Sequence, residues 1–147
     1  MSFAGERYVC ANPECRRSYP LAPGAIPVFI DEETSLFSTQ SFLDARPTFF
    51  HPLGRVASLL RMFVPDIGAN LRSRSNYRNL KELLLRRGGA PRVLVLGGSI
   101  LGHGMEALDS PEIELIETDV ALGPRTRMIC DAHSIPFADG SFDGVVA

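Results

Sequence analysis

Hydrophobic and polar positions along the chain follow three different patterns. From residue 6 to 31 apolar residues are interleaved with Cys, Pro and Gly, and a short β-like run stands out at Ile26-Pro27-Val28-Phe29-Ile30. From 34 to 90 strand alternation is missing and the spacing is helical. Val56–Val64 is one apolar-rich stretch closed by Pro65. In Asn76–Arg87, Leu80, Leu83 and Leu84 recur at i, i+3 and i+4, with Gly88-Gly89 as the stop. From 91 onward the pattern changes again. Val93-Leu94-Val95-Leu96 is an unbroken apolar run ending in glycines, as expected of a strand buried on both faces. Ile113–Ile116, Arg127–Cys130 and Phe142–Ala147 are three further strand candidates, and Met105–Leu108 reads as a short helix. Strands separated by helices or loops predict an α/β fold with a parallel sheet.

Composition narrows this reading. The chain has 147 residues, of which 45% are hydrophobic, and a net charge of −2, which disfavours disorder and allows one domain with a real core. No apolar run is long enough to span a bilayer and the first residues carry no secretory signal, so a cytoplasmic chain without a membrane partner is expected. Three cysteines make no disulfide framework. The small net charge hides a segregation. Residues 55–92 carry 9 basic and 2 acidic side chains, whereas residues 93–147 carry 2 and 9. The basic stretch has no interleaved aromatic series of the kind that stacks on bases. It is therefore read as solvated helix faces partly paired with the acidic half, and a nucleic-acid partner is not expected. Tyr77 and Arg78 lie where a lead-in helix could shape a substrate pocket.

Candidate chemistry concentrates where the first buried strand meets Gly97-Gly98-Ser99-Ile100-Leu101-Gly102-His103-Gly104. Glycines at a strand end let the backbone turn sharply and approach a ligand, and a helix starting just beyond would aim its free N–H groups at that ligand. A dinucleotide fingerprint is spelled by Gly102-His103-Gly104-Met105-Glu106-Ala107, but five residues separate it from Leu96. An NAD-dependent oxidoreductase therefore stays open as one alternative, and a non-catalytic cofactor- or partner-binding module completed by another chain as a second. About 20 residues on, Ile113-Glu114-Leu115-Ile116-Glu117-Thr118-Asp119 is a second strand ending in acids, where a ribose-binding carboxylate sits in such folds. His103 and His133 read as solvated loop histidines, Cys130 as a small buried apolar residue and Asp143 as a structural acid. Asp139 and Ser141 read as a turn around Gly140.

The segment Met128-Ile129-Cys130-Asp131-Ala132-His133-Ser134-Ile135-Pro136-Phe137-Ala138-Asp139-Gly140-Ser141-Phe142-Asp143-Gly144-Val145-Val146, taken with the glycine loop, resembles the class I S-adenosylmethionine-dependent methyltransferases of the type 11-like group. The resemblance runs from about Arg92 to Ala147. It implies a Rossmann-like sheet that this chain carries only through its fourth parallel strand, preceded by helices and a small β-rich segment. It also implies S-adenosylmethionine as cofactor and methyl transfer to an acceptor of unknown class. Gly97, Gly98 and Ser99 would lie under the methionine and ribose portion. Asp119 would take the ribose hydroxyls, with Glu117 as its substitute, and Asp131 and Ala132 would meet the adenine. The family usually carries an acid two residues before the first glycine, where this chain has Val95, and its loop is shorter. Acceptor residues in the family commonly follow the fourth strand, so no catalytic residue is named. The family sheet has strand order 3-2-1-4-5-7-6. The expectation is therefore a truncated chain, poorly active alone, with Gly144–Ala147 as an exposed edge for self-association.

Cys10-Ala11-Asn12-Pro13-Glu14-Cys15, with Ser18-Tyr19-Pro20 and Ile26–Ile30 behind it, resembles a zinc-ribbon-like module fused to some methyltransferases, in degenerate form. A closed zinc site needs four ligands. Only Cys10 and Cys15 are present, so no resident zinc is expected. The resulting organisation is a zinc-ribbon-like segment at 1–33, a helical lead-in at 34–90 and the cofactor-binding half-domain at 91–147.

Overall fold

The structure is a computed structural model that describes residues 7–15, 17–44 and 72–147, and the backbone of 2–4. The expected apolar stretch Val56–Val64 lies outside the described residues. Among the described residues eight strands form one mixed sheet: β1 (Ser2–Ala4), β2 (Arg7–Val9), β3 (Ser18–Ala22), β4 (Ile26–Phe29), β5 (Arg92–Leu96), β6 (Glu114–Asp119), β7 (Met128–Cys130) and β8 (Gly144–Val146). Two α-helices accompany them, α1 (Thr39–Leu43) and α2 (Ser73–Arg86). The order across the sheet is β1-β2-β3-β4-β7-β6-β5-β8. β1 to β4 are an antiparallel ribbon, whereas β4 to β7, β7 to β6, β6 to β5 and β5 to β8 all pair parallel. The described residues are thus α/β with few helices.

The unbroken apolar run of β5 is explained by its central place. It pairs with β6 on one side (Val93 opposite Leu115, Val95 opposite Glu117) and with β8 on the other (Val95 opposite Val146), and Val93, Leu94 and Val95 are all buried. Alternation sends Val93, Val95, Leu115 and Val146 to one face, where they pack with Leu84 of α2, Met105 and Leu108. The i, i+3, i+4 leucine pattern is thereby used, with Leu84 buried and Leu80 half-buried against the same cluster. Leu83 is left in solvent, because it falls on the outer side of the helix. α2 begins at Ser73, three residues before the expected start. It stops at Gly88 and Gly89, both with positive φ. By register Leu94, Ile116, Cys130 and Phe29 face the opposite side, where Phe29, Phe137 and Phe142 stack edge to face in series and Arg92 lies over the Phe142 ring.

Two features sharpen the sequence reading. The Ile26–Ile30 run packs on the main domain by joining its sheet as β4. Val28 and Phe29 pair with Ile129 and Cys130, so the amino-terminal segment continues the sheet beyond β7, and Ala22, Val28, Ile30, Phe42 and Ile129 form a second buried cluster. The short helix read at Met105–Leu108 is present, as 3-10 rather than α. Residues 97–113 run as turns around a single 3-10 turn, Met105–Ala107. Gly97, Gly98, Gly102 and Gly104, followed by Asp109-Ser110-Pro111, leave too few consecutive helix formers for a longer helix.

Segregated charge is partly neutralised across these elements. Lys81 of α2 pairs with Glu112 at 2.7 Å, and Arg92 of β5 with Glu114 at 3.0 Å. Asp143 accepts the Arg92 N–H at 2.9 Å while its own N–H donates to the Arg92 carbonyl, the structural role expected of it. Among the described residues no helix is long and apolar enough to cross a membrane.

Candidate functional site

Chain direction in the parallel part places the carboxyl ends of β4, β7, β6, β5 and β8 along one edge of the sheet. The strand order reverses at β5, because β6 lies on one side of it and β8 on the other. In open α/β sheets a crevice opens at that reversal, outside the carboxyl ends of the strands. The glycine loop leaves β5 at this point.

Gly97 takes φ +75°, and a Cβ built there meets nothing within 4 Å, so the backbone borders open space. Gly98 is buried and its N–H extends the ladder to the Thr118 carbonyl at 2.9 Å. A Cβ there would come within 3.0 Å of Val95 Cγ1 and 3.2 Å of Glu117 Cβ. Ser99 is 2% exposed, and its N–H donates to Asp119 Oδ2 at 3.1 Å. The other oxygen of Asp119 accepts the Ala121 N–H at 3.1 Å. Loop and strand-end acid, 20 residues apart, are thus joined by a direct hydrogen bond. A carboxylate has about four acceptor positions, so two remain for donors from a ligand.

Burial of Ser99 has a specific cause. The chain after β6 folds back as a tight turn in which Thr126 Oγ1 donates to the Ala121 carbonyl and accepts the Gly123 N–H, and the Arg125 N–H donates to the Ser99 carbonyl. Gly123 thereby presses on Ser99: a Cβ there would sit 2.5 Å from the Ser99 carbonyl oxygen and 2.6 Å from its Cβ. Gly123→Ala is expected to cost about 1–3 kcal/mol of stability, as forced overpacking does. Urea unfolding checks this, and an unchanged midpoint would contradict the contact.

Glu117 is held within the fold. Its side chain is 4% exposed and is held by Arg125 and by Arg127, the latter at 3.7 Å, while Arg125 also grips Asp109 in a two-point contact at 3.0 and 3.1 Å. These acceptors hold the Arg125 guanidinium even more firmly protonated than usual. Both arginines of the acidic half contact this one buried carboxylate, whereas Asp119 is bonded by backbone N–H groups.

Asp131, just past β7, is buried, and Ala132 beside it is exposed. Asp131 Oδ2 accepts the Ser35 hydroxyl at 2.5 Å, and Oδ1 accepts the His133 N–H at 2.9 Å with the His133 ring Nδ1 at 3.0 Å. The Ser35 hydroxyl and the His133 N–H hold this carboxyl below the usual carboxylate range. His133 is thus mostly in solvent, as read, yet anchored on one ring nitrogen. The carboxylate's contribution to stability is present above the ordinary carboxyl range and is lost as pH falls through its lowered folded value. Ser35→Ala is therefore expected to destabilise the chain more at about pH 7 than at about pH 2 in urea unfolding. Equal penalties at both would show that the hydroxyl does not favour the charged form.

Ser35 was not foreseen, because it lies 96 residues from Asp131 in a segment with no motif. Arg125 carried a weak signal as one of only two cations in the acidic half. Cys130 is buried as expected, and burial pushes its thiol up to about 11. Gly102 and Gly104, the dinucleotide spelling, are both packed, and a Cβ on Gly102 would come within 3.0 Å of Met105 Sδ. Gly104 is buried against the first turn of α2, 2.6 Å from Ser73 Oγ when given a Cβ. Among the described residues no group of three or more His, Cys, Asp or Glu side chains could hold a metal ion; Cys10 and Cys15 stand as a pair. Comparison of the chain with protein-family models, with curated proteins and with solved structures finds no match.

Proposed function

We propose that the chain is the cofactor-binding portion of an S-adenosylmethionine-dependent methyltransferase with a Rossmann-like sheet, acting in the cytoplasm on a methyl acceptor of unstated class. The observation that carries this reading is the Ser99–Asp119 hydrogen bond at a strand-order reversal, with open space over Gly97. The order β7-β6-β5-β8 also agrees with the 3-2-1-4 arrangement that the resemblance implies. In this reading the two free acceptor positions of Asp119 take the ribose hydroxyls. Gly97 lets the backbone approach the methionine end without a Cβ in the way. Asp131 and the Ala132 N–H face the adenine edge, with Ser35 and the His133 N–H fixing the carboxylate that receives the exocyclic amine.

When bound, S-adenosylmethionine supplies a methyl group on a sulfonium, whose transfer to a nucleophile needs positioning and exclusion of water more than a base. The chain's own part is therefore to orient and desolvate. A nicotinamide dinucleotide fits these residues less well, since its pyrophosphate is held on a helix N-terminus after the first strand, where this chain has only a three-residue 3-10 turn capped by a buried Gly104. The two cofactors are separated by calorimetric titration of the intact chain with S-adenosylhomocysteine and, in parallel, with NAD. Saturable binding of S-adenosylhomocysteine alone is expected. Binding of NAD alone, or of neither, would overturn the proposal.

A further inference from the structure

The amino-terminal ribbon carries chemistry that the cofactor site does not use. Cys10 follows β2 and Cys15 precedes β3, at the tip of their hairpin. The ladder runs one rung past the strands, with the Cys10 N–H donating to the Arg17 carbonyl at 2.9 Å. The tip then closes as a turn in which the Cys15 N–H donates to the Asn12 carbonyl at 3.1 Å and Asn12 Oδ1 accepts the Glu14 N–H at 3.0 Å. Alternation from the Cys10–Arg17 rung puts Cys15 on the same face of the hairpin as Cys10. Both thiols are half-buried and line one cavity of about 260 Å³, together with Arg17, Asp31, Ile135 and Pro136. The Arg17 N–H, the neighbouring Cys10 thiol and the nearby guanidinium hold the Cys15 thiol below its ordinary value.

We propose that Cys10 and Cys15 are a redox-active dithiol that closes into an intramolecular disulfide by exchange with a low-molecular-weight disulfide. The Cys15 thiolate attacks one sulfur of the small disulfide, forming a mixed disulfide and expelling the first small thiolate. Cys10, giving up its proton, then attacks the Cys15 sulfur and expels the second. Two protein thiols are oxidised, one small disulfide is reduced to two thiols, and no further oxidant enters. Cys15 is the attacking residue because the Arg17 contacts favour its thiolate, and Cys10 is the resolving one because it lines the same cavity on the same face of the hairpin. The pair supplies two of the four ligands that a closed zinc site takes. Asp31, the carboxylate in the same cavity, is held by the Arg17 guanidinium at 2.5 Å. Ile135 and Pro136 belong to the segment that follows Asp131, so the hairpin tip and that loop border one cavity.

The test is incubation of the intact reduced chain with oxidised glutathione, followed by acid quench and peptide mass mapping. Expected is an internal Cys10–Cys15 disulfide, reversed by dithiothreitol, with Cys130 reacting at least about a hundredfold more slowly because it is buried and its thiol is pushed up to about 11. Cys10→Ser should trap glutathione on Cys15, and Cys15→Ser should give neither product. Glutathione adducts without internal closure in the unsubstituted chain would overturn the proposal. So would equal rates at all three cysteines, or zinc retained on Cys10 and Cys15 through dialysis.

Discussion

Gly104→Ala is expected to destabilise the chain by about 3 kcal/mol, the combined cost of an unfavourable backbone region and of overpacking. Gly104 takes φ +87°, where an L side chain is strained, and the added Cβ would lie 2.6 Å from Ser73 Oγ, 2.8 Å from the Arg74 nitrogen and 3.0 Å from the Ser73 carbonyl carbon. Two of those three atoms are backbone of the first turn of α2, which cannot swing aside. Relief would require the helix to withdraw, and withdrawal would uncover Leu84 and Met105 in the main core. Gly97→Ala is the matched control: φ is also positive, at +75°, but nothing lies within 4 Å. It should cost about 1–2 kcal/mol, the backbone term alone. Urea unfolding of the two variants measures the difference, and equal losses would mean that α2 does not rest on Gly104.

Asp119→Ala is expected to weaken binding of S-adenosylhomocysteine about a hundredfold, or about 2.7 kcal/mol, which is what two hydrogen bonds to a charged acceptor supply. The substitution also removes the acceptor of the Ser99 and Ala121 N–H groups, so some loss of stability accompanies it. Asp119→Asn separates the two effects. Its amide oxygen can still accept a backbone N–H, so the fold should be nearly spared, while the charge that strengthens the ribose contacts is gone. Weakened binding in both variants is expected. Affinity unchanged in both would remove Asp119 from the site.

Much of the carboxy-terminal half was legible from residues alone, for local reasons. Val93–Leu96 is apolar at every position because β5 has neighbours on both sides and cover on both faces. Gly97 and Asp119 follow from strand ends, where a turn and a polar terminus must come. Gly88-Gly89 and Gly140 announced their positive φ values. What stayed hidden depends on long-range register. Nothing in Val28-Phe29 says that it pairs with Ile129-Cys130, about a hundred residues away, and no motif marks Ser35 as the partner of Asp131. The short helix read at Met105–Leu108 is 3-10 rather than α for a different reason. The apolar residues Met105 and Leu108 have helical spacing, but the glycines and Pro111 around them allow only one tight turn. In sequence Asp119 is the first choice as strand-end acid and Glu117 its substitute. They are two residues apart on one face of β6, and only the position of Arg125 and Arg127 decides that Glu117 is consumed internally.

The most direct measurement is a titration of the ¹⁵N-labelled intact chain with S-adenosylhomocysteine, followed by ¹H–¹⁵N correlation spectra. Expected are saturable shifts at the amides of Gly97, Gly98, Ser99 and Ala121, which surround or bond to Asp119, and at those of Ala132 and His133 beside Asp131. Those of Tyr8 and Val9 in the amino-terminal ribbon should stay in place. Saturation with these six amides unmoved, or no saturation at all, would contradict a cofactor site at the carboxyl ends of β5, β6 and β7.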